Sequence, residues 1–505
     1  MNGMVALDIG TTSIRAILYD DRAHAFPANQ RHNPPHYYGD GRVEQDPQVW
    51  PSLIASVLKG AAEQARRHDI SVAGISLTSQ RSSVIPVDRD ARPLYPAIMW
   101  QDVRTAPLAA ELAGHNPMVH RKTGAKINPV LSAIKMLWLK RNRPDIFAHT
   151  HKMLGIHDYA LHILCGRFVT DQSLASRTNL LDLATMTWDR ELIDLFELDS
   201  DMLCDLVAPG SIVGGLDAGM ASETGLAAGT PVITAGGDQQ CAALGLGLFS
   251  SDRAVTNTGT GSYLIGHSTL PYIDPGIRVT CSVSALPGAY IVEAALPSSG
   301  TVYRWFRETL WKAAGPDDDN FEAINAEAER AGVGAHGVML LPHFAGSGAP
   351  FWDAGAKGLF YNLSLGTTRG DMARAILEGI ALDLKGGLEV IEEACGPIAS
   401  IRVSGGMTDS GLFNQIQADV FGRTILRYQS GEATSLGAWI AGAVATGQAS
   451  SYPLAFESAT VNSPCGSFEP DKANNARYAA LRARAVALYA ALSAPGIRHI
   501  FSEGK

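Results

Sequence analysis

The chain has 505 residues, 46% hydrophobic and 18% charged, with a formal net charge of −9; it is long enough for two large domains with ordinary globular cores. The acidic balance without a basic block excludes nucleic acid and anionic membrane as main partners, and six scattered cysteines with no CxxC pair exclude a disulfide framework or a cysteine zinc site. The N-terminus lacks a basic leader and the most apolar stretch, 436–446, is short and glycine-rich, so a cytoplasmic protein is expected.

In chain order, 5–9 reads as a buried strand carrying Asp8, and Gly10-Thr11-Thr12-Ser13 as the turn into a second strand, 14–19. Two apolar runs, ISLTSQR (75–81) and IMWQDVR (98–104), end in side chains suited to holding hydroxyl groups: Gln80, Arg81, Trp100 and Asp102. Taken alone, Gln80 and Arg81 read as a solvated loop and Trp100 as a core aromatic. The spacing of Ile134, Leu137, Trp138 and Arg141 predicts a packing helix over 132–142, with Lys135 and Lys140 facing outward. The apolar run 232–235 ends in Gly236-Gly237-Asp238-Gln239, and a small-residue helix is expected over 239–247. Asp238 reads equally as the N-cap of that helix.

A domain junction is placed at 245–252, dividing the chain into 1–247 and 248–505. The stretch 252–265 then repeats the strand, turn, strand pattern of the N-terminus, with Thr258-Gly259-Thr260-Gly261-Ser262 as the turn. Glycines there permit positive φ and expose successive N–H groups, as a phosphate cradle requires; a plain hairpin fits as well. Neither turn is a Walker loop, since GxxxxGK[ST] is absent, and Leu264 occupies the place of the third glycine of GxGxxG. Two such hairpins predict two similar α/β halves facing across a nucleotide cleft. Further on, 343–352 is a long Gly/Pro/aromatic loop. Asp371 is expected to cap a helix carrying Met372, Ile376, Ile380, Leu384 and Leu388. The strand 401–404 opens through Gly405-Gly406 into a helix over 411–421, a junction where a polar ligand can lie on backbone. A buried helix over 432–447 and an amphipathic one over 471–492 close the chain.

Taken together and in this order, DIGTTS (8–13), WQDVR (100–104), SAIKMLWLKRN (132–142), GGDQQ (236–240), TGTG (258–261) and GG (405–406) resemble the FGGY carbohydrate kinases. The resemblance spans nearly the whole chain. It includes the family's second signature over 358–378, with Asn362 in place of a glycine, and departs from the first at Val130, where Tyr, Phe, Met, Gly or Ser is usual. It implies an α/β fold of two RNase H-like domains, of the actin and Hsp70 ATPase type, around a central cleft. The N-terminal domain would bind sugar and phosphate, the C-terminal one the nucleotide. It also implies transfer of the γ-phosphoryl group of ATP, with Mg²⁺, to a hydroxyl of a sugar or polyol. By this resemblance Asp238 is the general base, and Asp8 orients the metal through water with Asp238 as second carboxylate. Gly10, Thr11, Thr12, Ser13, Thr260 and Gly261 lie against the phosphates, and Gly300, Gly405, Gly406 and Ser410 near the nucleotide. Gln80, Arg81, Trp100, Asp102, Asp238 and Gln239 hold the acceptor.

The acceptor is less determined. GDQQCAALG, SQR and WQDVRT resemble glycerol kinases, whose pattern has QRE where this chain has Gln80-Arg81-Ser82, and whose glycerol-contacting tyrosine aligns with Val130. Losing a carboxylate and a phenol that hold a three-carbon polyol leaves room for a longer acceptor. The QMHG of xylulokinases is absent too, but length and layout lead to a ketopentose, xylulose first. Glycerol, a tetritol or a signalling metabolite stay as alternatives. A chaperone-related ATPase is the non-kinase alternative, against which Gln80-Arg81 and 100–104 speak. A homodimer stays open.

Overall fold

Seven of the eight residues of β1 (Asn2–Ile9) are buried, the pattern of a central strand covered on both faces. The computed structural model, which describes residues 1–27, 29–311, 321–428, 432–461, 465–495 and 497, places it inside a six-stranded sheet. Its companions are β2 (Ser13–Asp20), β3 (Asn29–His32), β4 (Ser71–Ser79), β5 (Ile212–Gly215) and β6 (Pro231–Gly237), in the order β5-β6-β4-β1-β2-β3. A seven-stranded sheet forms the second lobe from β7 (Arg253–Thr258), β8 (Ser262–Ser268), β9 (Thr280–Val283), β10 (Tyr290–Leu296), β11 (Ser400–Ser404), β12 (Thr424–Tyr428) and β13 (Cys465–Phe468). Its order is β9-β10-β8-β7-β11-β12-β13. In both sheets three antiparallel strands are followed by two parallel ones: β3-β2-β1-β4-β6 in the first and β10-β8-β7-β11-β12 in the second. This is the duplicated RNase H-like arrangement of the actin and Hsp70 ATPase fold, and it sets the β1–β2 and β7–β8 hairpins at equivalent places in their lobes.

Helices α1 (Trp50–Arg67), α2 (Ser132–Asn142) and α3 (Asp238–Gly245) belong to the first half of the chain. The second half supplies α4 (Arg369–Cys395), α5 (Gly411–Phe421), α6 (Ala433–Ala445) and α7 (Lys472–Leu492). The lobes meet where α3 crosses α6. A Cβ on Gly245 would stand 2.8 Å from the carbonyl carbon of Ala433, and one on Gly437 2.5 Å from that of Cys241. The two helices therefore pass backbone to backbone, which only glycine allows. Although α6 comes late in the chain, its Trp439 and Ile440 pack with Met4, Ala6 and Ile233 of the first sheet. Packing thus crosses the division at 247 that sequence order draws.

Several elements differ in detail from the sequence reading. Lys135 points inward, not outward: it is fully buried and its ammonium donates to the carbonyls of Ser82 (2.9 Å), Leu131 (3.3 Å) and Val130. Helical periodicity cannot show that a lysine has three carbonyls waiting for it. Asp371 is not the N-cap of α4; Thr368 is, and Asp371 closes the reciprocal capping box from the third position. Asn362 adopts φ +66°, so the turn that usually takes glycine survives with a residue that tolerates the left-handed region. The loop 343–352 reaches back across the molecule: the Trp352 indole N–H donates to the Arg278 carbonyl at 2.7 Å, and Lys126 of the first lobe lies 5.7 Å from its ring centroid. Among the described residues no helix is long and apolar enough to cross a membrane.

Candidate active site

β6 ends at Gly236, with φ +121°, and Gly237. Asp238 is then the first residue of α3, whose N-cap is Gly237 and not Asp238. Its carboxylate accepts the Gln239 N–H at 2.7 Å, and the side chain retains 27% of its exposure toward the cleft. The junction is fixed from behind: the Gly237 N–H donates to the Ser173 hydroxyl at 3.2 Å, and that hydroxyl donates to Asp171 at 2.5 Å. Arg81 lies across the junction. Its Nε stands 3.5 Å from Asp238, its Nη1 donates to Gln240 at 3.3 Å, and Nη1 and Nη2 both reach Glu293 Oε2 at 3.2 Å. A Cβ on Gly237 would fall 2.8 Å from the Arg81 stem, so the bare backbone there is what lets the arginine lie down. Because Glu293 is on β10, this ion pair joins the lobes.

Burial pushes the Asp238 carboxyl up to about 6, helped by the negative charge of Asp8 and opposed by Arg81. Asp8 is also raised, by burial, with Arg15 pulling the other way. Glu293 goes down: burial favours its proton, but Arg81 and Arg177 outweigh it. The site thus holds one carboxylate committed as a counter-ion and another poised near neutrality, the division a proton acceptor needs.

At the β1–β2 turn the Gly10 N–H donates to the Ser13 carbonyl at 3.0 Å. Arg15 ties Asp8 (2.6 Å) to Glu432 (3.0 Å) at the start of α6. Gln80 and Trp100, expected at the acceptor, brace this turn. The Thr11 hydroxyl donates to Gln80 at 3.3 Å and accepts from the Trp100 indole at 3.1 Å, while the Gln80 amide donates to the Gly10 carbonyl at 3.2 Å. Asp102, also expected there, makes its contacts within the protein. Fully buried, it takes the Val43 N–H (2.6 Å), the Arg104 N–H (2.9 Å) and two guanidinium contacts from Arg104 (2.9 and 2.7 Å), which occupy both oxygens. Among the described residues the Gln239 side-chain oxygen has no hydrogen-bond partner, and Thr12 lies exposed at its turn, ahead of Ser13.

The β7–β8 turn closes through a Gly259 N–H to Gly261 carbonyl bond of 2.9 Å, and the Gly300 N–H donates to Gly259 at 3.0 Å. Gly405, at φ +94°, would put a Cβ 2.7 Å from the Thr258 carbonyl carbon, whereas a Cβ on Gly406 would have no heavy atom within 4 Å. Thr260, Gly261, Gly300, Gly405 and Gly406 therefore form one continuous backbone-rich surface with an open front. Ser410 stands beside it as the N-cap of α5, accepting the Phe413 N–H at 3.3 Å. Asp238 responds to the charges of both Asp8 and Glu293, so residues of the two lobes converge on it.

Sequence reasoning missed Glu293, Tyr263 and Arg177. All three interact electrostatically with Asp238 and Arg81. Tyr263 directly follows the TGTGS turn and could have been found by the alternation of a strand; the other two carry no local signal. Among the described residues no three His, Cys, Asp or Glu side chains gather to hold a metal. Magnesium, however, keeps most of its waters and uses one or two carboxylates. Asp8 and Asp238, each raised by burial and close enough for the charge of Asp8 to raise Asp238 further, fit such an ion.

Two duplicated lobes with a threonine-glycine hairpin each define the two-lobed class of ATPase folds. Comparison with known proteins narrows the class. Residues 3–245 match the N-terminal domain, and residues 254–446 the C-terminal domain, of the FGGY family of carbohydrate kinases. Glycerol kinase of Thermococcus gammatolerans (strain DSM 15229 / JCM 11827 / EJ3) is 33% identical over 445 residues, 86% of this chain and 87% of that protein. The ligand-bound xylulose kinase from Lactobacillus acidophilus superposes with a TM-score of 0.92 at 25% identity, covering 99% of this chain and 100% of that one. Gluconate kinase from Lactobacillus acidophilus gives 0.92 at 26%, with the same coverage. The chain belongs to the FGGY family of carbohydrate kinases, and kinases of this family use ATP, generally with Mg²⁺.

Proposed function

We infer that this carbohydrate kinase transfers the γ-phosphoryl group of ATP to a hydroxyl of a sugar longer than glycerol, with Asp238 as the general base. A ketopentose such as D-xylulose is the neutral acceptor of that size. The observation that carries the reading is Asp238 itself: a carboxylate held near pH 6 by burial, at the open end of β6, between the two phosphate-type turns and tied through Arg81 to Glu293 of the other lobe.

The acceptor oxygen forms its bond to the γ-phosphorus as the bond to the β–γ bridging oxygen breaks. The hydroxyl proton passes to Asp238 and ADP leaves with the pair of electrons. Asp238 removes a proton that would otherwise build positive charge on the attacking oxygen, an effect worth about 10²- to 10⁴-fold. Arg81 orients that carboxylate and holds the lobes in register. Thr12 and Thr260, each exposed at its own turn, and the N–H of Gly261 would supply donors to phosphate oxygens, and Gly406 leaves the nucleotide a surface to lie on. Bound magnesium, held by Asp8 and Asp238 partly through water, would neutralise phosphate charge. Closing the lobes keeps water from competing as acceptor.

The preference for a longer acceptor rests on Ser82 and Val130. Ser82 sits at φ +67° with its hydroxyl turned to the Arg177 carbonyl at 3.2 Å, and Val130 leaves 36% of its surface exposed. Glycerol is the second reading, favoured by the sequence relatives. The experiment is a panel of ketoses and polyols with coupled detection of ADP. A pentulose outperforming glycerol supports the size argument, glycerol outperforming every pentulose overturns it, and ADP release independent of any acceptor overturns the kinase reading with Asp238 as base.

A further inference from the structure

Strand β9 stands at one end of the second sheet, and an end strand turns a row of N–H groups away from its own sheet. Here that row is buried along with Cys281 and Val283, so its N–H groups need partners from elsewhere. The first lobe supplies them. The Cys281 N–H donates to the Gly124 carbonyl at 3.0 Å, and the Val283 N–H donates to the Ser176 hydroxyl at 3.1 Å. The contact at Gly124 is backbone to backbone. The contact at Ser176 is made by a side chain, and that side chain is tied inward as well.

Ser176 directly follows the short helix Gln172–Ala175, and its hydroxyl donates to the Ser173 carbonyl at 2.8 Å. With its proton so directed, the hydroxyl offers a lone pair to Val283. The same Ser173 carbonyl accepts the Gln240 amide at 3.3 Å, and the Gln240 side-chain oxygen accepts Arg81 at 3.3 Å. On its other side the Ser173 hydroxyl, its proton committed to Asp171, accepts the Gly237 N–H. Ser173 therefore holds the backbone that enters α3 and, through Gln240, the arginine that lies beside Asp238. Asp238 needs both. It follows two glycines, the residues that constrain a chain least, and a base works only within hydrogen-bond reach of its proton. The first of those glycines also meets the second lobe: a Cβ on Gly236 would stand 3.2 Å from the Cβ of Ala285, two residues past Val283. An unbroken chain of contacts thus runs from the edge of one sheet to the base carried by the other.

We propose that Ser176 is a positioning residue for the reaction: it passes the docking of β9 to Ser173, and Ser173 sets Asp238, so that the base is aligned when the second lobe is seated. This rests on the reading of Asp238 as general base. Ser176 and Ser173 are buried and touch no substrate; they act through the backbone and the arginine they hold. The lobe that carries the Thr260-Gly261 turn thereby governs the group that takes the acceptor's proton.

The test takes the full chain with ATP, magnesium and the best acceptor of the panel, and follows coupled ADP release. Ser176→Ala should lower kcat by roughly tenfold, part of the about 10²-fold that a misplacement of about 1 Å can cost, while KM for ATP stays put. In the Asp238→Asn background the same substitution should cost nothing further, because the group it positions is gone. Ser173→Ala should behave likewise, and the two serine substitutions together should cost no more than Ser173→Ala alone, since both cut one path. Tyr290→Phe removes a different bond between the lobes, from the phenol to the Leu183 carbonyl at 3.0 Å, and should leave kcat unchanged. The proposal is overturned, with the kinase reading left standing, if Ser176→Ala leaves kcat unchanged, if it slows Asp238→Asn by the same factor as the wild type, or if Tyr290→Phe lowers kcat as much. Near-normal turnover in Asp238→Asn alone overturns the reading of the base, and the proposal with it. Should Ser176→Ala fail to fold, Ser173→Ala in the same two backgrounds decides.

Discussion

Asp238→Asn separates the two things burial does to this carboxyl. In the native protein Asp238 holds its proton to about pH 6, against 3.8 for the ordinary side chain. Between these values the unfolded chain has released its proton and the folded one has not. The stabilising contribution of the protonated form is therefore complete below 3.8 and lost as pH rises through 6. About two pKa units at roughly 1.4 kcal/mol each put that loss at about 3 kcal/mol as an upper figure, since the side chain keeps 27% of its exposure and water screens part of the strain. Asparagine cannot ionise and keeps what the wild type gives up. The variant should melt above the wild type at pH 8 and alongside it near pH 4, followed by thermal denaturation in matched buffers. Turnover moves the opposite way: with no base, kcat should fall by about 10²- to 10⁴-fold, while ATP binding by calorimetry is retained. The wild-type rate should decline below about pH 6 and the residual rate of the variant should not. Near-normal turnover in Asp238→Asn, or a wild-type rate level from pH 7.5 to 5, refutes the assignment.

Gly437→Ala drives a methyl into the Cys241 backbone at the crossing of α3 and α6; a loss of about 1–3 kcal/mol is expected from overpacking, read as a lower urea midpoint. Arg15→Gln removes the partner that ties Asp8 to Glu432, so the Asp8 carboxyl rises further. The magnesium concentration for half-maximal activity should increase, and by more at pH 6.5 than at pH 8, because a carboxyl that holds its proton more tightly competes less well for the ion as pH falls. Arg81→Ala should raise KM for the acceptor by about tenfold or more with little change in KM for ATP; equal effects on both would contradict its placement beside Asp238.

How much of this was legible beforehand depends on the range of the interaction. The two hairpins, the strand-to-helix junctions at 238 and 405, and α2, α5 and α7 follow from glycine placement and apolar periodicity, which act within a few residues. The sequence also marked Asp8, Asp238 and both threonine-glycine turns, because each sits inside its own local motif. Only the tertiary structure decided which partners the remaining polar residues take. Asp102 and Lys135 look available in sequence, yet one is saturated by Arg104 and Val43 and the other by three carbonyls. Gln80 and Trp100 turn out to brace Thr11. Glu293, far along the chain, becomes the counter-ion of Arg81, and Arg177 keeps a buried Nε with no hydrogen-bond partner among the described residues. Hydrogen-bond saturation and desolvation depend on partners brought in from distant parts of the chain, and a one-dimensional pattern carries no record of who those partners are.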